Sequence, residues 1–513
     1  MRGAPTAPST RNFAHEFTEI TISDISKMRP PVLPMTSLRT WAKFNGIGFE
    51  NISVEKNKEY GGYGVISTAT IPDSAPEQEG SLAVLNVPKD LILSAETIAE
   101  YAKIDKHFGQ ILKACGGTSL RGDVMLFLLM QVTRASSDPD IKFSVSGPWT
   151  EYVKMLPEYI SLPTAWHDDQ IALLNGTSLE KAVAAKVAAL IREFETLREN
   201  TTEIPWCHDA WWDKEHLEFR DWILIDSWYR SRSLELPLSG EAMVPFLDMA
   251  NHSARANSQY EQENDDEVLL QVKPGQQIDK GEELTIDYGS TKSAAEMLFS
   301  YGFIDDLSSV HSMVLHISPS ADDPLGKAKA RIHGKPLTLH ISASDDSLEL
   351  TCPFIYLMCV NEDDGLDFKV LLENDGTLGQ MRAFWKSTDI TDSISNFEDI
   401  ITADPLADVF LLRAKVLLRY IVDEQLDRLS DSEHAANELD PNQETLSVGD
   451  KGIPEAASKL RVIEAELLSK SLELLEAEIN TLSTSPIVRE YLGNSEAQDE
   501  PGTGDNGERE DFS

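Results

Sequence analysis

Two dense blocks of the chain carry most of the side chains that could do chemistry. The first block, Met243–Ser253, reads MVPFLDMANHS, and the second, Gly281–Phe303, reads GEELTIDYGSTKSAAEMLFSYGF. In the first block an apolar run breaks at a set of hydrogen-bonding residues, namely Asp248, Asn251, His252 and Ser253. The second block adds the aromatic residues Tyr288, Tyr301 and Phe303. We predict that these carboxamide, imidazole and aromatic groups belong to one pocket.

The strands, turns and helices next to the two blocks determine where these side chains lie. The β-branched run Leu284–Ile286 predicts a strand that stops at Tyr288, and a helix-like segment then leads to Tyr301. Upstream, the turn Gly62-Tyr63-Gly64 precedes a strand-like run from Val65. A phosphate-binding loop needs a helix after its glycines, so we reject nucleotide binding here. An ordinary glycine turn between strands stays as the alternative.

Taken together, these motifs resemble the SET domain of protein methyltransferases. The resemblance rests on an Asn-His-Ser turn at 251–253, a Gly-Glu-Glu-Leu strand at 281–284 that ends in Tyr-Gly, and a later Tyr-Gly-Phe at 301–303. The branch that matches best is typified by the plant Rubisco large-subunit lysine methyltransferase. The resemblance implies an α+β fold, in which a SET domain of short β-sheets has a pseudoknot-like crossing and a helical insertion. A mainly α-helical C-terminal domain would follow.

The resemblance also implies a cofactor, S-adenosyl-L-methionine, and residues that bind it. These cofactor-binding residues are Gly62, Gly64, Arg232, Asn251, His252 and Phe303. Glycine suits the turn because a cofactor can lie against main chain only where no Cβ intervenes. For Arg232, the alternative is that it satisfies the last carbonyls of its own helix. We expect Asp248 to support the Asn-His turn rather than to perform chemistry.

On the target side of the pocket, the resemblance implies a channel lined by Tyr288, Tyr301 and Phe303. Tyr288 would be the catalytic residue, because its hydroxyl would orient the attacking amine. A lysine amine has a reference pKa of ~10.4, so removing its proton at neutral pH costs roughly 4 to 5 kcal/mol. An apolar aromatic channel and a nearby cationic sulfonium both lower that pKa. We therefore expect methylation of a lysine side chain in a non-histone protein, with ribosomal proteins and translation factors as candidates.

Two other functions stay open. One branch of the family methylates histidine, and a catalytically inactive SET-like binding module is the second alternative. After Phe303 the sequence has only Cys352 and Cys359, which argues against the cysteine-rich zinc segment of many histone-methylating relatives. The His and Trp residues within 208–216 match no zinc spacing either. We therefore expect no metal.

Composition favours a protein partner over a nucleic acid. The 513 residues include 45 basic and 86 acidic side chains, which gives a formal net charge of −41. Such a charge repels phosphate backbones and attracts a basic protein surface, although it can also serve solubility alone. Four scattered cysteines and the absence of long apolar runs predict a reduced, soluble protein without membrane contact, in the cytoplasm, the nucleus or both.

Along the chain we expect four regions. In order, these are a disordered arm at 1–35, the SET domain at 36–305 with its helical insertion at about 118–227, a mainly helical substrate-binding-like domain at 306–490 with an acidic loop at about 430–452, and an acidic disordered tail at 491–513. In the third region, Asp404-Pro405 should start a helix. That helix should place on one face Val409, Leu412, Val416 and Tyr420.

Overall fold

A computed structural model describes most of the chain. The described residues are 28, 30–57, 62–73, 83–136, 146–213, 215–262, 267–344, 347–372, 378–438 and 452–499. The chain divides into two compact units. The first unit comprises Met1–Ile160 and Val187–Tyr288, and the second comprises Ser161–Lys186 and Gly289–Ser513. The predicted domain boundaries differ from this division, because a short piece of the expected insertion belongs to the second unit.

Short strands build the first unit. They are β1 (Gly48–Phe49), β2 (Ile52–Lys56), β3 (Tyr63–Ser67), β4 (Ala83–Val87), β5 (Ser233–Leu236), β6 (Gly240–Met243), β7 (Asn251–His252), β8 (Ser258–Gln262), β9 (Val268–Val272) and β10 (Glu283–Ile286). One sheet has the order β1-β4-β9-β8, another has the order β2-β3-β10-β7, and β5 pairs with β6. β7 and β10 run parallel, with Thr285 opposite Asn251. This pairing joins the two blocks that carry the candidate site.

Helices occur in both units. In chain order they are α1 (Leu38–Phe44), α2 (Ala95–Ile104), α3 (Lys106–Cys115), α4 (Leu120–Ala135), α5 (Pro148–Tyr152), α6 (Asp168–Ala172), α7 (Leu179–Thr201), α8 (Pro205–Cys207), α9 (Phe219–Arg232), α10 (Ala294–Tyr301), α11 (Gly326–His333), α12 (Ile355–Met358), α13 (Phe397–Thr402), α14 (Ala407–Glu438), α15 (Ile453–Ser483) and α16 (Pro486–Asp499). α4 is buried on all sides from Val124 to Thr133, so it forms the centre of the helical part of the first unit.

The expected N-terminal arm is only partly a separate segment. Residues 1–27 and 29 lie outside the described residues. Met28 is fully buried in the core of the first unit, and the backbone N–H of Leu33 donates to the carbonyl of Lys154 at 2.8 Å. The prediction of disorder is therefore wrong for the end of this arm, because its apolar residues pack against the helices instead of remaining in solvent.

Beyond α10, the second unit continues with two small sheets and then with long helices. Its strands are β11 (His311–His316), β12 (Thr338–Ala343), β13 (Leu348–Thr351), β14 (Leu366–Leu372), β15 (Leu378–Trp385) and β16 (Thr388–Asp389), arranged in the orders β11-β12-β13 and β14-β15-β16. Alternate residues of β11 and β12, such as Met313 and Ile341, are buried, which is the pattern of a half-exposed sheet. The expectation of a mainly helical C-terminal region is confirmed, with the strands concentrated before α13.

Two predicted irregular segments are partly helical. α14 continues to Glu438, so the acidic loop does not begin at 430, and α16 continues to Asp499, so the tail does not begin at 491. Both segments lack an apolar stripe, so hydrophobic periodicity gave no sign that the helices continue into them. The rest of both segments, 439–451 and 500–513, lies outside the described residues.

The buried face of α14 also differs from the prediction. Val416 and Tyr420 are 47% and 63% exposed. The residues of this helix that enter the core of the second unit are Phe410, Ala414, Leu418, Val422 and Leu429. Val409 is buried, but Val416 and Tyr420, which lie on the same predicted face, are exposed to solvent. Within the described ranges, no helix has the length and apolarity needed to cross a membrane.

Candidate active site

Tyr288 lies just beyond the end of β10, next to His252, the last residue of β7. The backbone N–H of Tyr288 donates to Nδ1 of His252 at 3.0 Å, and the centroids of the two rings are 5.2 Å apart. The Tyr288 hydroxyl donates to the backbone carbonyl of Ala250 at 2.8 Å. Nδ1 of His252 also lies 3.9 Å from the carboxylate of Asp287. Both the backbone and the hydroxyl of Tyr288 are therefore anchored to the segment that carries the Asn-His pair.

The side chain of Glu283 lies at the centre of a second set of hydrogen bonds. Its Oε1 accepts from Nδ2 of Asn251 at 2.6 Å, and its Oε2 accepts from Nδ2 of Asn57 at 2.7 Å. Nδ2 of Asn251 also donates to the carbonyl of Tyr63 at 3.0 Å. A Cβ added to Gly64 would overlap Oε1 of Glu283, so only glycine leaves room for this carboxylate. The close approach that Gly64 permits here is thus to a side chain of β10.

An ion pair between Arg232 and the buried Asp248 supports the Asn-His turn. α9 ends at Arg232, whose Nη1 donates to the backbone carbonyl of Asp248 at 3.0 Å and lies 3.4 Å from Oδ2 of the same residue. The side chain of Asp248 is fully buried, and its Oδ1 accepts a hydrogen bond from the hydroxyl of Tyr152. Burial raises the pKa of Asp248, and the Arg232 guanidinium opposes that rise. These contacts give Asp248 a supporting role in the turn.

The remaining predicted site residues, Tyr301 and Phe303, belong to the second unit. α10 ends at Tyr301 and is capped by Gly302, which has a φ of 83°, and a Cβ on Gly302 would lie 2.6 Å from the carbonyl oxygen of Ser161. This tight reversal leaves Phe303 36% exposed, with its ring centroid 6.3 Å from that of Tyr301. Phe303 also lines a cavity of about 240 Å³ within the second unit. Tyr301 and Phe303 therefore lie together, as adjacent aromatic groups.

Within the first unit, the structure brings together most of the predicted residues. Gly64, Asn251, His252 and Tyr288 occupy adjacent strands or strand ends, and Arg232 reaches the same segment through Asp248. Gly62 lies at the start of the same turn, and its carbonyl accepts from the backbone N–H of Asn57 at 2.7 Å. The cofactor and channel roles of these residues stay predictions.

Sequence reasoning missed two residues that hold the site together. Glu283 stands inside the Gly-Glu-Glu-Leu motif, so the motif itself could have indicated a role for its carboxylate. Tyr152 offered no such signal, because it lies 96 residues before Asp248 in a segment without a recognisable motif. Among the described residues, no group of three or more His, Cys, Asp or Glu side chains is arranged to hold a metal ion.

Comparison with known proteins defines the class of this fold and site. Residues 62–289 match the family model of the SET domain. The segment 62–289 is therefore similar to a SET domain, and the match includes the glycine turn, the Asn-His turn and Tyr288.

Relatives with assigned names include SET domain-containing protein 8 of Schizosaccharomyces pombe, which is 26% identical over 80% of this chain and 89% of that protein. The Rubisco large-subunit N-methyltransferase of Nicotiana tabacum is 24% identical over 62% of this chain and 65% of that protein. The actin-histidine N-methyltransferase of Xenopus tropicalis is 24% identical over 64% of this chain and 54% of that protein. The chain thus spans most of the yeast relative and about two thirds or less of the other two.

Solved structures of Rubisco LSMT share the fold. The structure of its SET domain bound to lysine and AdoHcy aligns with a TM-score of 0.61 at 18% identity, covering 92% of this chain and 96% of that chain. The structure of Rubisco LSMT bound to AdoMet gives the same TM-score and identity, covering 93% and 98% of the two chains. The likeness covers nearly the whole chain, so it includes the C-terminal part as well as the SET domain.

Nε of Arg232 is the atom of the site that could bind an acidic group of a ligand. Nε of Arg232 is buried and has no hydrogen-bond acceptor among the described residues. A buried N–H without an acceptor is costly, and a guanidinium N–H is satisfied best by a carboxylate. The donor set therefore fits a ligand with an acidic group, such as the amino-acid end of S-adenosylmethionine.

Proposed function

We propose that this protein is an S-adenosylmethionine-dependent methyltransferase that methylates a lysine side chain of a non-histone protein. The observation that carries this proposal is the position of the Tyr288 hydroxyl, 2.8 Å from the carbonyl of Ala250 and next to the Asn-His strand. Because the hydroxyl donates its hydrogen to Ala250, its oxygen can act as an acceptor toward an incoming amine. Tyr288 would thereby orient the nucleophile rather than serve as a strong base.

Binding of the cofactor would involve the glycine turn, the Asn-His strand and Arg232. When bound, the cofactor would supply an electrophilic methyl group to an amine aligned in line with its sulfur. Gly62, Gly64, Asn251 and His252 would contact it largely through main-chain groups, and Nε of Arg232 would donate to its carboxylate. Such pre-organised contacts align the reacting atoms, and alignment can supply a large part of the rate enhancement. Phe303 is the remaining residue that we propose for cofactor binding.

The substrate should present a basic surface around its target side chain. The net charge of −41 supports this proposal, because it attracts basic proteins and repels nucleic acids. Ribosomal proteins and translation factors fit that description, and we propose with them a localisation in the cytoplasm, the nucleus or both.

Histidine methylation is the second candidate. It is favoured by one observation, the similarity to the actin-histidine N-methyltransferase of Xenopus tropicalis, which is 24% identical to this chain. An imidazole is close to neutral at physiological pH, so it needs less desolvation than a lysine amine. The aromatic side chains of Tyr288 and Tyr301 favour lysine, since desolvation is what a lysine nucleophile requires.

A single experiment tests both candidates. Purified protein is incubated with isotopically labelled S-adenosylmethionine and an extract of cells that lack the protein, and the labelled residue is identified by mass spectrometry. Label on lysine supports the first candidate, and label on histidine replaces it with the second. Titration calorimetry with S-adenosylmethionine is the companion measurement, because an absence of binding would contradict both and leave a binding module.

A further inference from the structure

Tyr152 connects the helical insertion to the turn beneath the candidate site. It is the last residue of α5, is fully buried, and lies between Trp41 and Trp149 at ring-centroid distances of 4.8 and 5.2 Å. Its hydroxyl accepts a hydrogen bond from the backbone N–H of Phe246 at 3.1 Å and donates one to Oδ1 of Asp248. One hydroxyl group thus bonds to two positions of a single turn.

The turn that Tyr152 holds is a strained one. Phe246 has a φ of 74° and a ψ of −47°, a positive-φ conformation that residues with a Cβ rarely adopt. Such a conformation persists only where surrounding contacts determine it, and here the N–H of Phe246 itself is fixed by Tyr152. A short 3₁₀ helix, Leu247–Met249, follows immediately and is capped by Ala250.

We infer that Tyr152 is a positioning residue for the reaction, because its hydroxyl sets the turn that places the Ala250 carbonyl under the Tyr288 hydroxyl. The inference rests on the proposed function. Asp248 transmits the constraint, since its carboxylate accepts from Tyr152 while its backbone carbonyl accepts from Arg232 at 3.0 Å. The Ala250 carbonyl then receives the Tyr288 hydroxyl at 2.8 Å.

The chemistry of the buried groups supports this assignment. Burial raises the pKa of Tyr152 well above its ordinary value, and the neighbouring Asp248 carboxylate adds to that effect. The phenol therefore stays protonated and keeps its hydrogen for Asp248. A phenylalanine in its place would preserve the contacts with Trp41 and Trp149, but it would remove the hydrogen-bond partner of both Phe246 and Asp248.

The test compares Tyr152→Phe with Tyr101→Phe in the full chain. Tyr101 is a suitable control because it also lies in the first unit and its hydroxyl also takes part in two hydrogen bonds, accepting from Arg134 and, at 3.4 Å, from Gln131. Hydrogen exchange by mass spectrometry is measured over peptides that span Phe246 to Ala250. Methyl transfer is measured with the protein substrate identified as described above, as separate kcat and KM values.

We expect exchange in the turn to rise about tenfold in Tyr152→Phe and to stay unchanged in Tyr101→Phe. We also expect kcat to fall roughly tenfold in Tyr152→Phe with KM for the protein substrate within about twofold of the wild-type value. Unchanged exchange in Tyr152→Phe, or a kcat equal to that of Tyr101→Phe, would overturn the inference. If the wild-type protein transfers no methyl group at all, the proposed function fails, whereas the exchange data still decide whether Tyr152 holds the turn.

Discussion

The backbone N–H of Tyr288 donates to Nδ1 of His252 at 3.0 Å, so that nitrogen carries no proton in this arrangement. In a neutral imidazole the hydrogen is then on Nε2, and the tautomer of His252 is set by its contact with Tyr288. The hydroxyl of Tyr288 is fixed independently by Ala250 at 2.8 Å. Anchoring at both ends defines the direction of the phenol, which is the property that an orienting group needs.

Replacing Tyr288 by phenylalanine tests the role of its hydroxyl. Tyr288→Phe should reduce kcat roughly 10²-fold, because the amine loses the group that orients it. Affinity for S-adenosylmethionine in titration calorimetry should stay nearly unchanged, because the N–H bond to His252 involves only the backbone. Tyr420→Phe, at a position 63% exposed in the second unit, is the control for general effects of a lost phenol hydroxyl. Undiminished turnover in Tyr288→Phe would remove this residue from the mechanism.

Substitution of His252 tests whether its Nδ1 orients Tyr288. Asparagine can place an amide oxygen near the position of Nδ1, whereas alanine leaves the N–H of Tyr288 without this acceptor. We expect His252→Ala to lower kcat about tenfold or more and to cost roughly 1 kcal/mol of unfolding free energy, with partial recovery in His252→Asn. Turnover and thermal unfolding midpoints measure the two effects. Equal kcat values for the two variants would assign the loss to the imidazole itself rather than to the Nδ1 contact.

Gly64→Ala tests the contact between the glycine turn and β10. The new methyl group would overlap Oε1 of Glu283, which is held by Asn57 and Asn251, so the carboxylate must move and release the amide of Asn251. We expect a loss of roughly 1 to 3 kcal/mol in unfolding free energy and weaker binding of S-adenosylmethionine. Thermal unfolding and calorimetry provide the measurements.

A matched control exists for the glycine substitution. A Cβ on Gly147 would meet no atom within 4 Å, so Gly147→Ala should unfold at the wild-type midpoint. The double variant Gly64→Ala/Glu283→Ala should recover part of the stability lost in Gly64→Ala, because the overlapping carboxylate is absent. If Gly64→Ala alone unfolds like the wild type, the carboxylate is not confined as the structure describes.

The sequence predicts features that depend on residues close together in the chain, but it does not predict contacts between residues that are far apart in the chain. The Asn-His and Tyr-Gly blocks were recognisable because each is a local motif, and their joining through parallel β7 and β10 agrees with the predicted fold. Tyr152 could not be predicted, because its bond to Asp248 depends on the path of the whole insertion. Glu283 was visible in a motif, but its partners Asn57 and Asn251 lie far from it in sequence.

The buried face of helix α14 is a second feature that the sequence does not predict. Apolar residues at helical spacing identified α14, yet Val416 and Tyr420 of the predicted stripe are exposed, while Phe410 and Leu418 of a neighbouring stripe enter the core. Helix α14 carries apolar residues on more than one face, so periodicity alone does not choose the buried one. The choice is made by the partner helix α15, whose position no local pattern specifies.

Glu464 should make the stability of the second unit depend on pH. This residue of α15 is buried, and its carboxylate accepts hydrogen bonds from the backbone N–H of Ser178 at 3.0 Å and from the Ser178 hydroxyl. Burial raises its pKa from 4.5 to about 7, against the lowering effects of Ser178 and the Arg461 charge. The folded state therefore binds more protons than the unfolded state between these two values.

Because the folded state binds more protons than the unfolded state, raising the pH lowers the stability of the second unit. Stability contributed by protonated Glu464 is fully present below pH 4.5 and is lost as the pH rises through about 7, which corresponds to ~3 kcal/mol over the whole interval. The amide of Glu464→Gln cannot titrate. The thermal midpoint of this variant should therefore rise relative to that of the wild type as the pH increases from about 5 to about 8. Glu466→Gln, at an exposed position of the same helix, is the control for the loss of a carboxylate from α15. Parallel pH profiles for the wild type and Glu464→Gln would show that this carboxylate titrates alike in the folded and unfolded chains.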